Sequence, residues 1–103
     1  MSIVEEKRLI ATFMNYADGK PLTDELLLIL YNDWNSIMPV VEKIETFVFD
    51  GDEYYNFQIL GGCCVYIISS HGNELVTVDN GISKLDCVYK SVVQFIQWYN
   101  KQK

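Results

Sequence analysis

The stretch SKLDCVYKSVVQFIQWYN, residues 83–100, decides the fold because it carries a complete helix signal. Ser83 is a residue type that caps helix N-termini, and Asp86 three positions later makes a weak capping box. Apolar side chains then recur at spacings of three and four, which predicts one buried face. That face comprises Leu85, Val88, Tyr89, Val92, Ile96 and Tyr99, with Phe95 on its flank. The stretch predicts an amphipathic helix packed on the rest of the chain.

Upstream of this helix, the sequence predicts three strands. Residues 54–60, 63–69 and 75–78 are rich in β-branched and aromatic side chains. The continuous apolar run CCVYII in the second segment is typical of a strand that is central or covered on both faces. Gly61-Gly62 and residues 71–73 supply turn residues between the segments. These features predict a three-stranded antiparallel meander.

The N-terminal half predicts further helices. Ser2 and Glu5 form a capping box for a first helix, which the DGKP sequence at residues 18–21 should stop. A second helix follows a cap at residue 32 or 33 and contains Pro39, which either kinks the helix or marks its true first turn. The run LLLILY at residues 26–31 is compatible with a buried strand or a short helix.

Together these elements predict an α+β fold in a single domain spanning residues 1–103. About three helices should pack on one face of the three-stranded antiparallel meander. If residues 26–31 are extended, they add a fourth strand.

The charge balance narrows the possible partners. The chain has 8 Lys and Arg against 14 Asp and Glu, a formal net charge of −6. Phosphate backbones and anionic membranes repel such a surface, so we expect neither nucleic-acid nor membrane binding. The N-terminal residues MSIVEEKR do not resemble a signal peptide, and three cysteines are an odd number for a disulfide framework. We expect a cytoplasmic protein with reduced thiols.

Two segments together resemble a family of small uncharacterised proteins from bacteria and their phages. They are YNDWNSIMPVVEKIE at residues 31–45 and SKLDCVYKSVVQFIQWYN at residues 83–100. The family usually carries a second Trp where this chain has Ser36. The resemblance implies structural roles for Trp34, Met38, Pro39, Val40, Val41, Ile44, Ser83, Val88, Tyr89, Val92, Val93, Phe95, Ile96, Trp98 and Tyr99. It implies no activity, because the family has no established one.

Cysteine, histidine and acidic residues, which can serve in catalytic or metal sites, are present, but their spacing matches no such site. Cys63 and Cys64 are neighbours in a strand, so their side chains point to opposite faces and do not readily bind one metal ion. His71, the only histidine, lies in a turn. The acidic segment at residues 50–53 lacks the spacing of a calcium loop. We expect no catalytic, cofactor-binding or metal-binding residues, and we lean against an enzyme.

One side of the last helix is the exception. Trp98 falls roughly 120° from the centre of the buried stripe at about 100° per residue. Small or polar residues share that side, and Trp is enriched in interface hot spots. The sequence predicts a possible partner surface formed by Cys87, Ser91, Gln94 and Trp98. The alternative is that Trp98 folds over the edge of the core and packs on the strand that contains Tyr54 and Tyr55.

Two functions fit these observations. The first is a non-enzymatic protein-interaction module of bacterial or phage origin, which binds a protein partner or forms a homo-oligomer. The second is a small-molecule or metal-binding domain, with possible enzymatic activity, that uses the Tyr-rich strand with Cys63, Cys64 or His71. The sequence favours the first, because it contains no catalytic constellation.

Overall fold

The structure, a computed structural model, describes residues 2–14, 23–46, 55–60, 64–70 and 72–101. Its elements in chain order are helix α1 (Ile3–Phe13), helix α2 (Asp24–Ile29), helix α3 (Trp34–Thr46), strands β1 (Tyr55–Leu60), β2 (Cys64–Ser69) and β3 (Glu74–Val78), and helix α4 (Lys84–Lys101). This order of helices and antiparallel strands confirms the α+β class. The expected stop at residues 18–21, the acidic segment at residues 50–53 and the Gly61-Gly62 turn lie outside the described residues.

The three strands form one antiparallel sheet in the order β1-β2-β3. β2 is therefore the central strand, as its continuous apolar sequence predicts. Ile67 pairs with Phe57 on one side and with Val76 on the other, so these three side chains share one face. Ile67 and Val76 are buried on that face, which lies toward the helices. The sheet contributes five of the buried core residues, Tyr55, Val65, Ile67, Val76 and Val78, and the helices contribute most of the others.

A β-bulge interrupts the pairing of β2 and β3 after Ile67. The chain then turns through Gly72, which has a φ of 84° that favours glycine. Ser69 holds this turn, because its hydroxyl accepts from the Asn73 amide at 3.1 Å and its carbonyl accepts from the Gly72 amide at 2.9 Å. The bulge and the turn together set where β3 begins.

Each helix starts at a side-chain cap. Ser2 Oγ accepts from the Glu5 amide at 3.2 Å, and Ser83 Oγ accepts from the Asp86 amide at 3.1 Å, as the sequence predicts. Asp33 is the cap of α3, through its carboxylate and the Ser36 amide at 2.9 Å. These bonds satisfy amides that have no partner inside the helix.

The first four residues of the ambiguous run LLLILY fold as part of a helix. They lie in α2, which Thr23 caps by accepting from the Leu26 amide at 3.2 Å. Leu27 is buried, whereas Leu28 and Ile29 are exposed, so the short helix turns only part of its apolar surface inward. The described residues thus form four helices where about three were expected, and they contain no fourth strand.

Helix α3 runs through Pro39 without ending there. The helix begins at Trp34, so Pro39 lies in its second turn and not at its start. Proline removes one backbone donor at that point. The far end of α3 is tied to α1, because Lys43 Nζ donates to the Phe13 carbonyl and lies 4.6 Å from the centroid of the Phe13 ring.

Helix α4 is the centre of the molecule. It contacts α1 and α3 as well as β2 and β3. Its buried positions are Cys87, Val88, Ser91, Val92, Val93, Phe95 and Ile96. At about 100° per residue these positions cover roughly two-thirds of the helix circumference, which is wider than the single stripe expected from the sequence. The reason is that the sheet and the other helices cover α4 on different sides.

Candidate functional site

The side of α4 predicted to bind a partner carries Cys87, Ser91, Gln94 and Trp98. Cys87 and Ser91 are 0% exposed. The Ser91 hydroxyl donates to the Val88 carbonyl at 2.8 Å, so it is satisfied within the helix. The expectation that the core does not need this side is wrong for Cys87 and Ser91, because α4 is covered by the sheet as well as by helices.

The other two residues of that surface lie differently. Gln94 is exposed and Trp98 is half-buried. The Trp98 ring lies 5.8 Å from the Tyr55 ring and 5.7 Å from the Phe95 ring, measured between centroids. Trp98 therefore packs on β1, as the alternative interpretation expected. A partner surface at Gln94 and the uncovered part of Trp98 stays a prediction.

These rings belong to an aromatic cluster at the C-terminal end of α4, made of Phe13, Tyr55, Phe95, Trp98 and Tyr99. The rings of Tyr55 and Phe95 meet edge to face at 5.1 Å, and those of Phe13 and Tyr99 at 5.8 Å. Edge-to-face contacts at these distances are stabilising beyond the area they bury. The aromatic cluster joins α1, β1 and α4, and its role is structural.

The thiol and imidazole candidates lie beyond what the structure places. Cys63 and His71 fall outside the described residues, as does the side chain of Cys64. Within the five described ranges, no group of three or more His, Cys, Asp or Glu side chains is arranged to hold a metal ion. The candidate site must come from other residues.

An open cleft of about 210 Å³ lies at the N-terminal end of α4. Its polar lining consists of Lys7, Tyr31, Asn32, Ser83, Asp86 and Tyr89, and its apolar lining of Ile3 and Leu85. The residues come from α1, from the α2–α3 connection and from the start of α4. We call this the Lys7 cleft.

Lys7 is the unusual member of this lining because it is a charged side chain only 2% exposed. Its ammonium donates to the Leu28 carbonyl at 2.7 Å and to Asn32 Oδ1 at 2.5 Å. Both acceptors are neutral. Burial lowers the pKa of Lys7 below its ordinary value, since removing water disfavours the charged form. The described ion pairs, Arg8 with Asp24 and Lys90 with Asp86, do not include it.

The backbone beside Lys7 is strained. Tyr31 has a φ of 61°, in the left-handed region that bulky side chains rarely adopt. Such a residue costs about 1–3 kcal/mol and persists only where its surroundings hold it. Asn32 Nδ2 donates to the Leu28 carbonyl at 2.9 Å, which fixes the amide so that its oxygen faces Lys7. The Lys7 hydrogen bonds therefore help to hold this connection in place.

The start of α4 supplies the opposite wall of the cleft. The Asp86 amide bonds to the Ser83 hydroxyl, and the first-turn amides contribute the positive end of the helix dipole. Burial raises the pKa of Asp86, but the Ile82 amide and Lys90 outweigh it, so the pKa lies below its ordinary value. Asp86 is an ionised carboxylate whose charge is partly offset by the Ile82 amide and by Lys90.

Tyr89 forms the inner wall. Its hydroxyl donates to Glu6 Oε1 at 3.3 Å, which links α4 to α1. Burial raises the pKa of Tyr89, and the carboxylates of Glu6 and Asp86 raise it further. The phenol therefore stays protonated well above neutral pH and serves as a hydrogen-bond donor.

A second groove, of about 320 Å³, runs along the outer face of α1 between Glu5, Arg8, Leu9 and Thr12. Its residues belong to one helix, and three of them are exposed. It holds no buried charge, so the Lys7 cleft is the better candidate.

Sequence reasoning did not single out Lys7. The available signal is its position, since it interrupts an apolar series in α1 that contains Ile3, Ile10 and Met14 at spacings of three and four. A lysine on the buried stripe of a helix has to bring its charge into a cleft or toward an acceptor.

Comparisons with known proteins add no relative: no protein-family model, no curated protein and no solved structure matches the chain. Across the part of the chain that the structure describes, no helix has both the length and the apolar character needed to cross a membrane.

Proposed function

We propose that this chain is a non-enzymatic protein-interaction module that binds a protein partner at the rim of the Lys7 cleft. The observation that carries the proposal is the exposure of large apolar side chains around that cleft. Ile82 is 92% exposed, and Ile3 is 51% exposed. Soluble proteins expose single apolar residues often, but a group of them beside a cleft marks an interaction site.

The position of these side chains ties them to the cleft. Ile3 belongs to its lining, and Ile82 precedes Ser83, another lining residue. Leu28, 46% exposed, provides the carbonyl that Lys7 binds. Three separate segments thus place an exposed apolar residue in the lining of the cleft or next to a lining residue, which is compatible with a docking rim around a polar centre.

The remaining sequence predictions fit this proposal. A net charge of −6 supports a protein partner over a nucleic acid. The odd cysteine count and the family resemblance support a cytoplasmic protein of bacterial or phage origin.

A photo-crosslinking experiment in the expressing cell tests the proposal. Benzoylphenylalanine replaces Ile82 at the rim, and in two matched proteins it replaces Gln94 or Glu42, both exposed but remote from the cleft. We expect a discrete heterologous adduct from the Ile82 position that is absent from the Glu42 position and is lost when Ile3 is changed to Glu.

Other outcomes would replace the proposal. Crosslinking from Gln94 in place of Ile82 would move the partner to the Trp98 side of α4. An adduct of two copies of this chain, each of 11.9 kDa, would identify a homo-oligomer. Equal labelling at all three positions would leave no specific surface.

The second candidate function is small-molecule binding, and the buried ammonium of Lys7 is the observation that favours it. The cleft is smaller than the roughly 300–1,000 Å³ typical of sites for drug-sized ligands. Native mass spectrometry of protein purified without denaturation would detect a retained ligand, and a mass equal to the bare chain would count against it.

A further inference from the structure

The ammonium of Lys7 has bonding capacity that the described residues do not use. An ammonium has three donors, and the described residues accept from two of them, through the Leu28 carbonyl and Asn32 Oδ1. Neither acceptor carries a charge. A buried charge without a counter-ion is costly, and it becomes favourable when an anion completes its surroundings. Lys7 is one of the residues that line the open cleft although only 2% of it is exposed, so an anion would approach the ammonium through the cleft.

The start of α4 faces the same space. Ser83 and Leu85 line the cleft at the N-terminus of an 18-residue helix. The cap uses the Asp86 amide, and the Ser83 carbonyl accepts from the Cys87 amide. The amides of Lys84 and Leu85, which precede these two in the first turn, have no hydrogen bond to a described residue. A helix N-terminus and a lysine therefore converge on one opening, which is favourable for a negatively charged group.

The size and the walls of the cleft indicate what carries that group. A volume of about 210 Å³ suits one amino-acid residue better than a larger ligand. Ile3 and Leu85 provide apolar walls next to the ammonium. The C-terminal residue of a protein presents a carboxylate and a side chain on the same carbon, and capture of a terminal carboxylate by backbone amides is a known recognition mode.

The charge of the chain favours a terminal carboxylate over an acidic segment. A net charge of −6 repels a run of Asp and Glu but tolerates one carboxylate on a neutral or basic segment. Asp86 also lines the cleft, and its bonds to the Ile82 amide and to Lys90 offset part of its negative charge.

We propose that the Lys7 cleft binds the C-terminal carboxylate of the protein partner, with the partner's last side chain, an apolar one, between Ile3 and Leu85. This inference rests on the proposed function and specifies how the partner is recognised. Lys7 supplies the counter-charge, and the first turn of α4 supplies amide donors.

Titration followed by amide chemical shifts tests the site with minimal probes. The probes are N-acetyl-leucine, N-acetyl-leucinamide, which lacks only the charged carboxylate, and inorganic phosphate. We expect saturable shifts at Lys7, Asn32 and Leu85 with N-acetyl-leucine, in the millimolar range expected of so small a ligand. N-acetyl-leucinamide should bind at least about tenfold more weakly, a difference of about 1.4 kcal/mol.

Variants assign the effect to the ammonium. Lys7→Met keeps most of the length of the side chain and removes the charge, so it should reduce N-acetyl-leucine binding at least about tenfold. Lys101→Met removes one positive charge from an exposed position at the end of α4 and should leave binding unchanged. If Lys7→Met does not fold, the comparison of acid and amide on the unaltered protein still decides the matter.

The contrary results are distinct. Equal binding of the acid and the amide, or no binding of either, would overturn the proposal. Phosphate binding as tight as N-acetyl-leucine would indicate a general anion site without selection of a C-terminal residue. A partner crosslinked from Ile82 without N-acetyl-leucine binding would keep the interaction module and remove this mode of recognition. Binding of N-acetyl-leucine without any crosslinked partner would instead favour a small free carboxylate as the ligand.

Discussion

The two ends of helix α4 differ in what surrounds them. At the C-terminal end, the aromatic cluster closes around Phe95, with ring centroids 5.1 Å from Tyr55 and 6.3 Å from Phe13. At the N-terminal end, the Lys7 cleft stays open and combines apolar surface with the polar groups of Lys7, Asn32 and Ser83. The comparison teaches that the conspicuous aromatic residues of this sequence serve packing, whereas a single lysine in an apolar pattern marks the candidate site.

The closed end should respond most strongly to substitution. Phe95→Ala removes a fully buried ring that touches Tyr55, Phe13 and Trp98. We expect it to lower the free energy of unfolding by about 4 kcal/mol, through lost burial and the cavity left behind. Urea denaturation followed by circular dichroism measures the change. Phe95→Leu is the control and should lose much less, and a loss below about 1 kcal/mol for Phe95→Ala would mean that the cluster is not tightly packed.

Trp98 tests whether the closed end has any docking role. Trp98→Ala should lower the free energy of unfolding by about 2 kcal/mol, because the ring is half-buried and packs on Tyr55 and Phe95. Gln94→Ala, at an exposed position on the same side, should stay within about 0.5 kcal/mol of the unaltered protein. If the two variants are equally stable, Trp98 is a surface residue, and its role as part of a partner surface gains support.

The open end should be less sensitive. Ser83→Ala removes the cap of α4 and should cost about 1 kcal/mol, whereas Ser83→Gly should cost only a few tenths. Denaturant midpoints at fixed slope give both values. Equal stability of all three proteins would show that the Ser83 hydroxyl does not stabilise the helix as a cap. Its remaining role would then be that of a lining group of the cleft.

The titration of Tyr89 should leave the free energy of unfolding unchanged at neutral pH and should lower it only in alkaline solution. Its pKa in the folded protein is raised above the unfolded value, by burial and by Glu6 and Asp86. Below pH about 10 the phenol is protonated in both states; above it the unfolded chain loses the proton first. The free energy of unfolding should therefore fall as pH rises through this range.

Tyr89→Phe lacks that titration, so its free energy of unfolding should fall less steeply in alkali. Urea denaturation of both proteins at a series of pH values from about 8 to about 11 measures the difference. The pKa of Lys7 is lowered by burial, so its titration makes the free energy of unfolding rise as the pH approaches the ordinary lysine pKa. This contribution is present in both proteins and cancels in the comparison. Parallel curves would mean that Tyr89 is solvated in the folded state.

Much of the fold was predictable because its signals are local. The caps at Ser2 and Ser83 and the central position of β2 follow from residue types at fixed spacings, and the structure confirms them. The burial of Cys87 and Ser91 was not predictable in this way. An apolar stripe identifies one buried face of a helix. When a helix is covered on a second side, the burial of that side depends on tertiary packing and cannot be recognised from the stripe.

The candidate site was predictable only in retrospect. Lys7, Tyr31 and Asn32 are far apart from Ser83 and Tyr89 in sequence, and no motif links them. The family resemblance expected from the sequence concerns two helices and implies only packing roles, and no family model matches the chain. A site assembled from three segments by tertiary packing leaves no spacing pattern, so only the misplaced lysine in α1 hints at it.

The attachment of α2 has a consequence for hydrogen exchange. This helix has six residues, too few to persist without tertiary contacts, and it buries only Leu27 fully. Lys7 and Asn32 both donate to the Leu28 carbonyl near the end of α2, and the left-handed backbone of Tyr31 favours release of the helix when these bonds break. The amides of α2 should therefore exchange with solvent through local opening, long before those of α4. An anion bound to Lys7 would slow that opening. Slower hydrogen exchange of the α2 amides would therefore report that the cleft is occupied, although α2 forms no part of its lining.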